Sequence, residues 1–341
     1  MTRPDASGGA ALPSRTLGRS GVSVSALGFG AAAVAGLYEE VGEQEAAAAV
    51  DAAWEAGVRY FDTAPHYGLG LSERRLGEAL RTRPRDDFTL STKVGRILVP
   101  HEGGGDDLAQ GFAVPATHRR RWDFSADGVR RSLEDSLTRL GLDRVDLVLL
   151  HDPDDHGEQA FREAYPALEE LRSQGVVRAI GAGMNQTRML TRFLTDTDVD
   201  AVLCAGRYTL LEQGALDGLL PSAAAVGKSV IVGGVFNSGL LADPTPGATY
   251  DYAAAPTDLL HRAVRMRDVT ETRSVPLRAA ALHFPFGHPA VASVLVGARS
   301  AAQVRDAAEQ FHRPVPDAVW EALRARGLLP GEVPLPDGTV P

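Results

Sequence analysis

The sequence is poor in cysteine and in long apolar runs, and both absences exclude classes of protein. Cys204 is the single cysteine, so an internal disulfide is impossible. It lies in the run AVLCAG without an adjacent charge to activate a thiol, which favours a buried, inert side chain. No apolar stretch reaches the roughly 18 residues of a membrane span. The first residues also lack the apolar core of a signal peptide, so we expect a cytoplasmic protein.

An excess of positive charge is also missing. The net charge of −9 argues against nucleic acid or an anionic membrane surface as the main partner. We therefore expect a small-molecule substrate as the partner. The sequence leaves the oligomeric state open.

The composition indicates one globular domain. Of the 341 residues, 44% are hydrophobic and 23% are charged, which are ordinary values for such a domain. No shift in composition marks an internal boundary, and α/β barrels of about 250 residues or more often form a single domain. We predict a flexible N-terminal tail over 1–14, one folded domain over 15–330 and a C-terminal tail over 331–341.

Short apolar runs alternate with segments of helical periodicity along the whole domain. The eight runs are VSALGFG, VRYFDTA, FTLSTKVG, VDLVLLHD, VVRAIGAG, DAVLCAG, SVIVGGV and VASVLVGA. They are apolar on both faces, as parallel strands covered by helices should be. Eight such β–α units predict an α/β fold, a (β/α)8 TIM barrel, with an open doubly wound sheet as the alternative. Ser72 is the predicted N-cap of the second helix, and 96–124 is the predicted irregular loop.

Two motifs suggest sites that the surrounding sequence does not support. GFGAAA, over 28–33, matches a dinucleotide fingerprint, but no capped helix opens there and no acid ends the next strand at the required distance. We interpret it as a strand-to-loop turn in which Gly30 lets a ligand approach closely. HDPDDH, over 151–156, has metal-ligand residue types, but no matching histidine pair ends another strand. We predict no metal site.

Four titratable residues fall at the ends of three consecutive predicted strands. Asp62 ends the second strand and Tyr67 follows it, Lys93 ends the third, and His151 ends the fourth. In a barrel these ends share one mouth. A tyrosine has a pKa near 10, which we expect Lys93 to lower while Asp62 holds the lysine.

This arrangement favours proton transfer. Tyr67 would act as acid in reduction and as base in oxidation, and His151 would orient the reacting oxygen. A hydride cofactor is then required. The alternatives are a metal-dependent hydrolase and a non-catalytic barrel that binds a cofactor.

The chain resembles the aldo-keto reductases, which are (β/α)8 barrels that use NAD or NADP. FDTAPHY matches the spacing of their aspartate and tyrosine, STK matches their lysine, and LLHDP matches their histidine. The resemblance implies that Asp62, Tyr67, Lys93 and His151 are catalytic. It runs from about Leu17 to about Phe311.

The same resemblance implies a set of cofactor contacts. The family's serine–asparagine pair after strand five is Met184 and Asn185 here, and Ala205 stands where glutamine is frequent. The remaining contacts implied after strands seven and eight are Phe236, Asn237, Ser238, Gly297, Arg299, Gln303 and Asp306. Arg299 would favour the 2′-phosphate of NADP, whereas Asp306 would favour the ribose hydroxyls of NAD.

Further segments resemble one branch of the family, the sugar 1-dehydrogenases that act on L-fucose and D-threo-aldoses. These segments include HDPDDH, AGRYTLLEQ and GGVFNSGLLAD. The branch implies oxidation of the anomeric carbon of an aldose to a lactone, with reduction of small aldehydes or ketones as the alternative. His66, Trp122 and Phe124 are candidate substrate contacts. The alternative for Trp122 and Phe124 is that they anchor their loop.

Overall fold

The computed structural model describes residues 12–251 and 253–337, and its centre is a closed barrel of eight parallel strands. The strands are Leu27–Gly30 (β1), Tyr60–Asp62 (β2), Thr89–Val94 (β3), Leu147–His151 (β4), Ala179–Met184 (β5), Ala201–Ala205 (β6), Ser229–Gly233 (β7) and Val291–Gly297 (β8). Each strand pairs with the next in sequence, and β8 closes against β1. Closure confirms the predicted TIM barrel and excludes the open sheet.

Ten helices of seven or more residues lie between and after the barrel strands of the described chain. They are Glu43–Glu55 (α1), Leu71–Leu80 (α2), Ala126–Leu140 (α3), Tyr165–Ser173 (α4), Thr187–Asp196 (α5), Leu219–Val226 (α6), Thr257–Glu271 (α7), Leu277–His283 (α8), Ala301–His312 (α9) and Asp317–Ala325 (α10). Shorter helical turns span Ala33–Ala35, Arg85–Asp87, Leu108–Gln110, Asp154–His156, Gly157–Gln159, Ala160–Ala164, Gly214–Asp217 and Phe284–Gly287. None of the helices described is long and apolar enough to cross a bilayer.

A short hairpin, Ser14–Thr16 with Ser23–Ser25, lies at the amino-terminal end of the barrel. Its buried Leu17 and Val22 join the cluster that fills the barrel interior. Gly28 belongs to the same packing, because a Cβ at this position would lie 2.7 Å from Leu295 and 2.9 Å from Tyr60. The first glycine of GFGAAA therefore serves core packing.

The two predicted tails fall partly outside the described residues. Residues 1–11 and 338–341 are not described, whereas Leu12 is buried at the start of the described chain. Val333 is also buried, and its carbonyl accepts a hydrogen bond from Arg324. The packed part of the chain thus includes a few residues on the tail side of both predicted boundaries.

Two local predictions are wrong. Ser72 lies inside α2, where its hydroxyl donates to the carbonyl of Ala31, and Gly70 occupies the N-cap position with φ +82°. The segment after β3 is not irregular. It forms two antiparallel hairpins, Arg96–Pro100 with His118–Trp122 and Asp106–Asp107 with Phe112–Pro115.

Cys204 is buried in the wall of the barrel, as predicted. Burial raises the pKa of its thiol to about 12, so the side chain is an inert core residue.

Candidate active site

The ends of β2, β3 and β4 bring the four predicted titratable residues together at the carboxyl-terminal mouth of the barrel. The Lys93 ammonium lies at the centre, with Nζ 2.6 Å from Asp62 Oδ2 and 3.1 Å from the Tyr67 hydroxyl. The same nitrogen donates to the carbonyl of Thr63 at 3.0 Å. Its three donors are therefore all used, and they fix its position beside the phenol.

Asp62 is held from its other side by strand residues. Ser91 donates to Asp62 Oδ1 at 2.7 Å, and Tyr60 shares a hydrogen bond of 3.0 Å with Ser91. Asp62 and Lys93 are 3% and 2% exposed, so the ion pair is shielded from water. Such a pair is stable only because both charges are also hydrogen-bonded.

The pKa of Tyr67 departs from the predicted direction. Burial alone would lower the pKa of Lys93, but the charge of Asp62 and the hydrogen bonds outweigh it and raise the pKa to about 12. The lysine is thus charged. Burial raises the pKa of Tyr67 above its ordinary value, and the charge of Lys93 opposes this shift without reversing it. The phenol is therefore protonated at neutral pH, contrary to the expected lowering.

Two imidazoles line the mouth beside the phenol. The ring of His151 lies 5.8 Å from that of Tyr67 and 5.6 Å from that of His66, edge-on in both cases. Burial and the charges of Arg96 and Lys93 keep the pKa of His151 well below its ordinary value. Burial and neighbouring positive charges lower the pKa of His66 to about 2. Both rings are neutral at physiological pH.

The tautomer of His151 follows from its surroundings. Nδ1 is buried and has no hydrogen-bond partner among the described residues, whereas Nε2 lies 3.5 Å from Asp152 Oδ2. An unpaired buried N–H group costs more than an unpaired acceptor, so we assign the proton to Nε2. His151 then presents a neutral donor to the cavity.

The hairpins after β3 cover the site, which the sequence did not reveal. Phe112 packs edge-on against His66 at 5.4 Å and lies 6.1 Å from the ring of Tyr67. Tyr38 in the loop after β1 donates its backbone N–H to Gly111 at 2.8 Å, which joins the two loops. Phe112 therefore contributes to the burial of Tyr67. FAVP is too short to be recognised as a strand by its alternation.

The residues of HDPDDH diverge. His151 enters the mouth, Asp152 pairs with Arg96, and His156 packs against Trp122 at 5.4 Å. In the part of the chain that the structure describes, no three histidine, cysteine or carboxylate side chains converge as metal ligands.

Trp122 and Phe124 lie outside the cavity that the titratable residues line. Phe124 is fully buried beneath Gly95, and Trp122 stacks on it at 6.0 Å. The guanidinium of Arg96 covers the Trp122 ring at 4.3 Å. Both aromatics therefore anchor the hairpins, which is the alternative that the sequence left open.

A family comparison decides the wider class of the protein. The Aldo/keto reductase family matches residues 26–326. The chain belongs to this family. A D-threo-aldose 1-dehydrogenase from a Pseudomonas species is 45% identical over 91% of this chain and 96% of its own. A pyridoxal 4-dehydrogenase from Microbacterium luteolum is 39% identical over 92% and 97%, respectively.

A solved structure agrees with this result. The holo form of an aldo-keto reductase from Bacillus halodurans aligns with a TM-score of 0.76 and 28% identity, over 94% of this chain and 98% of that one. The chain is thus an oxidoreductase that acts on CH–OH or carbonyl groups, and its cofactor is NAD or NADP.

The mouth of this aldo-keto reductase has room for such a cofactor. Four of its other five strands, β6, β7, β8 and β1, are neighbours in the barrel and end in the small residues Ala205, Gly233, Gly297 and Gly30. A Cβ on Gly30 or Gly297 would meet no described atom closer than 3.7 Å, so the fold itself does not require glycine there. The adjoining cavity, of about 730 Å³, is lined by Met184 and Asn185. The Asn185 amide is half-buried and bonds to no described residue, so it is available to a ligand.

The other predicted cofactor contacts lie around this rim, and several already have partners. Arg299 pairs with Glu39, while its backbone N–H donates to Gln303 Oε1 at 2.9 Å. Asp306 pairs with Arg278 at 2.9 Å. The Glu39 carboxylate therefore offsets the charge that Arg299 would offer to a phosphate.

The predicted contacts after β7 differ in their access to a ligand. Asn237 is 2% exposed and accepts from the Thr209 hydroxyl at 2.7 Å, so its side chain braces the loop. Phe236 packs against the core, and Ser238 hydrogen-bonds with Tyr38. Ser238 thus connects the loops after β1 and β7 beside the cavity.

Proposed function

We propose that this aldo-keto reductase oxidises the anomeric carbon of an aldose, of the D-threo or L-fucose class, to a lactone. The supporting observation is the chain of contacts from Asp62 through Lys93 to the Tyr67 hydroxyl, with His151 beside it. These contacts support an arrangement in which a substrate oxygen reaches one proton-transfer group and one neutral donor.

The substrates named for two relatives can both react as cyclic hemiacetals. An aldose closes into a cyclic hemiacetal at C1, and pyridoxal carries an aldehyde next to a hydroxymethyl group that can close in the same way. Removal of a hydride from the hemiacetal carbon and a proton from its hydroxyl gives a lactone in both cases. We infer that the substrate of this chain is likewise a cyclic hemiacetal.

The roles of the residues follow from their protonation. When bound, NAD or NADP in its oxidised form accepts the hydride. Tyr67 takes the proton from the anomeric hydroxyl, and the Lys93 ammonium 3.1 Å away stabilises the charge that develops on the phenol oxygen. His151 donates from Nε2 to the same substrate oxygen and orients it. Asp62 keeps Lys93 in place.

One observation favours the reverse reaction, reduction of a carbonyl group. Because burial raises the pKa of Tyr67, its phenol is protonated at neutral pH, which is the form that a reductase needs. Reduction of small aldehydes or ketones at the same site is therefore the second candidate function.

The pKa shifts predict an asymmetric pH dependence. Oxidation needs the deprotonated phenol, so kcat/KM should rise by about tenfold per pH unit from about pH 6 to 9. Reduction needs the protonated phenol and should be nearly constant over this range. Because both imidazoles stay neutral, we expect no inflection near the ordinary histidine pKa. Initial rates in both directions test this, and an inflection near 6.5 that is lost in His151→Gln would contradict it.

The proposed function is tested by a panel that crosses aldoses with NAD⁺ and NADP⁺. L-fucose, L-galactose, D-arabinose and pyridoxal are incubated with each cofactor, absorbance at 340 nm reports turnover, and mass spectrometry identifies the product. We expect a lactone and one reduced cofactor for each sugar consumed. Turnover of simple aldehydes alone, without oxidation of any hemiacetal, would reject the proposal.

A further inference from the structure

Asp152 adopts a left-handed backbone conformation directly after the end of β4. Its φ is +43°, in the left-handed region that residues other than glycine, asparagine and aspartate rarely adopt. Its backbone N–H donates to the carbonyl of Gly183 on β5 at 3.0 Å, which fixes the turn.

The carboxylate of Asp152 is supported from behind. Arg96 donates to Asp152 Oδ2, and the same guanidinium is held over the ring of Trp122. Arg96 is itself buried, so the pair is a constructed part of the wall. The hairpin that carries Trp122 therefore also positions Asp152.

The second oxygen of this carboxylate is available. Asp152 lines the cavity together with His151 and Tyr67, and its side chain is 32% exposed. Oδ1 accepts no hydrogen bond from the rest of the described chain, whereas Oδ2 lies 3.5 Å from His151 Nε2. A substrate oxygen that accepts a hydrogen bond from His151 Nε2 would therefore bind next to the carboxylate, and a group on the neighbouring carbon would be within its reach.

We propose that Asp152 determines specificity by accepting a hydrogen bond from the hydroxyl on the carbon next to the reacting carbon. This inference rests on the proposed function, whose cyclic aldose substrates carry such a hydroxyl at C2. A substrate that lacks this hydroxyl would displace water from the cavity without replacing its hydrogen bond to Asp152 Oδ1. An acceptor left unpaired in a partly buried carboxylate costs free energy. The site therefore favours 2-hydroxy substrates over their deoxy counterparts. Asp152, the second residue of HDPDDH, would then recognise a hydroxyl group of a polyol substrate.

The test compares two substrate pairs that differ by this hydroxyl alone. Oxidation of L-fucose is measured against 2-deoxy-L-fucose, and reduction of lactaldehyde (2-hydroxypropanal) against propanal. Asp152→Asn tolerates the left-handed turn and removes the charge, while Asp152→Gly tolerates it and removes the side chain. Asp155→Asn is the matched control, because Asp155 is exposed in the same loop and does not line the cavity.

We expect the ratio of kcat/KM between hydroxy and deoxy substrate to fall about 10-fold in Asp152→Asn, and about 30-fold or more in Asp152→Gly. These are the sizes expected for weakening and losing one hydrogen bond to a charged group. The control should keep the wild-type ratio. A purely structural role would lower both members of a pair equally. An unchanged ratio in both variants, or an equal shift in Asp155→Asn, would overturn the inference.

The two pairs separate this inference from the proposed function. If the wild type reduces both aldehydes but oxidises no sugar, the proposed function fails, and the lactaldehyde-to-propanal ratio still decides the role of Asp152. If sugars are oxidised and the ratios do not respond to Asp152, the proposed function stands and the specificity role fails.

Discussion

Replacement of Tyr67 by phenylalanine is expected to lower kcat by about 10²- to 10⁴-fold, the range for loss of a positioned general acid or base. The Tyr67 hydroxyl lies 3.1 Å from Lys93 Nζ and faces the cavity. Phenylalanine keeps the ring packed between His66 and Phe112, so only the proton-transfer group is lost. Lys93 retains Asp62 and the Thr63 carbonyl as partners.

The measurement separates chemistry from folding and from cofactor binding. Single-turnover rates at 340 nm report the chemical step, and calorimetric titration with NAD⁺ or NADP⁺ reports binding, which should change little. Tyr208→Phe is a matched control, because this buried hydroxyl has no hydrogen-bond partner among the described residues. Its kcat should equal that of the wild type. A Tyr67→Phe variant that kept more than about a tenth of wild-type kcat would refute the assigned role.

The residues at the strand ends are predictable because the apolar runs locate the strands and the barrel fold brings the ends of those strands together. Runs such as VDLVLLHD are long enough to specify buried strands, and closure of the barrel brings their carboxyl-terminal ends to one mouth. Asp62, Lys93 and His151 are each the last or near-last residue of such a run. The apolar runs in the sequence and the geometry of the barrel are therefore enough to predict that these three residues converge.

The pKa of Tyr67 is not predictable in the same way. Its burial depends on Phe112, which is 45 positions later in the sequence and reaches the site through a hairpin. The strand partner of RILVP is HRRRW, whose charges hide its strand character. The sequence leaves the role of Trp122 and Phe124 open for the same reason, because Gly95 and Arg96 set it through tertiary contacts.

The predicted cofactor contacts show what a family resemblance can and cannot establish about a side chain. Asn185 lines the cavity and bonds to no described residue, so its role as a cofactor contact stays a prediction. Asn237 is buried against Thr209, and Arg299 already has Glu39 as a partner. A motif places a residue in a loop, but the partners that the loop supplies decide whether its side chain is free for a ligand.

Replacement of Lys93 by methionine is expected to damage stability and activity together. It leaves the Asp62 carboxylate, 3% exposed, without its cation. Breaking one partner of a buried ion pair costs about 3–5 kcal/mol, which urea denaturation should detect. Loss of one preorganised electrostatic group lowers kcat by about 10²- to 10³-fold.

A double variant separates these two effects. Lys93→Met with Asp62→Asn removes both charges and keeps an acceptor for the Ser91 hydroxyl, so most of the lost stability should return. Its kcat should stay low, because Tyr67 still has no ammonium beside it. Lys228→Met is the matched control, since Lys228 is the other lysine of the sequence and bonds to backbone carbonyls away from the mouth. Recovery of kcat in the double variant would show that Lys93 acts only by holding the fold.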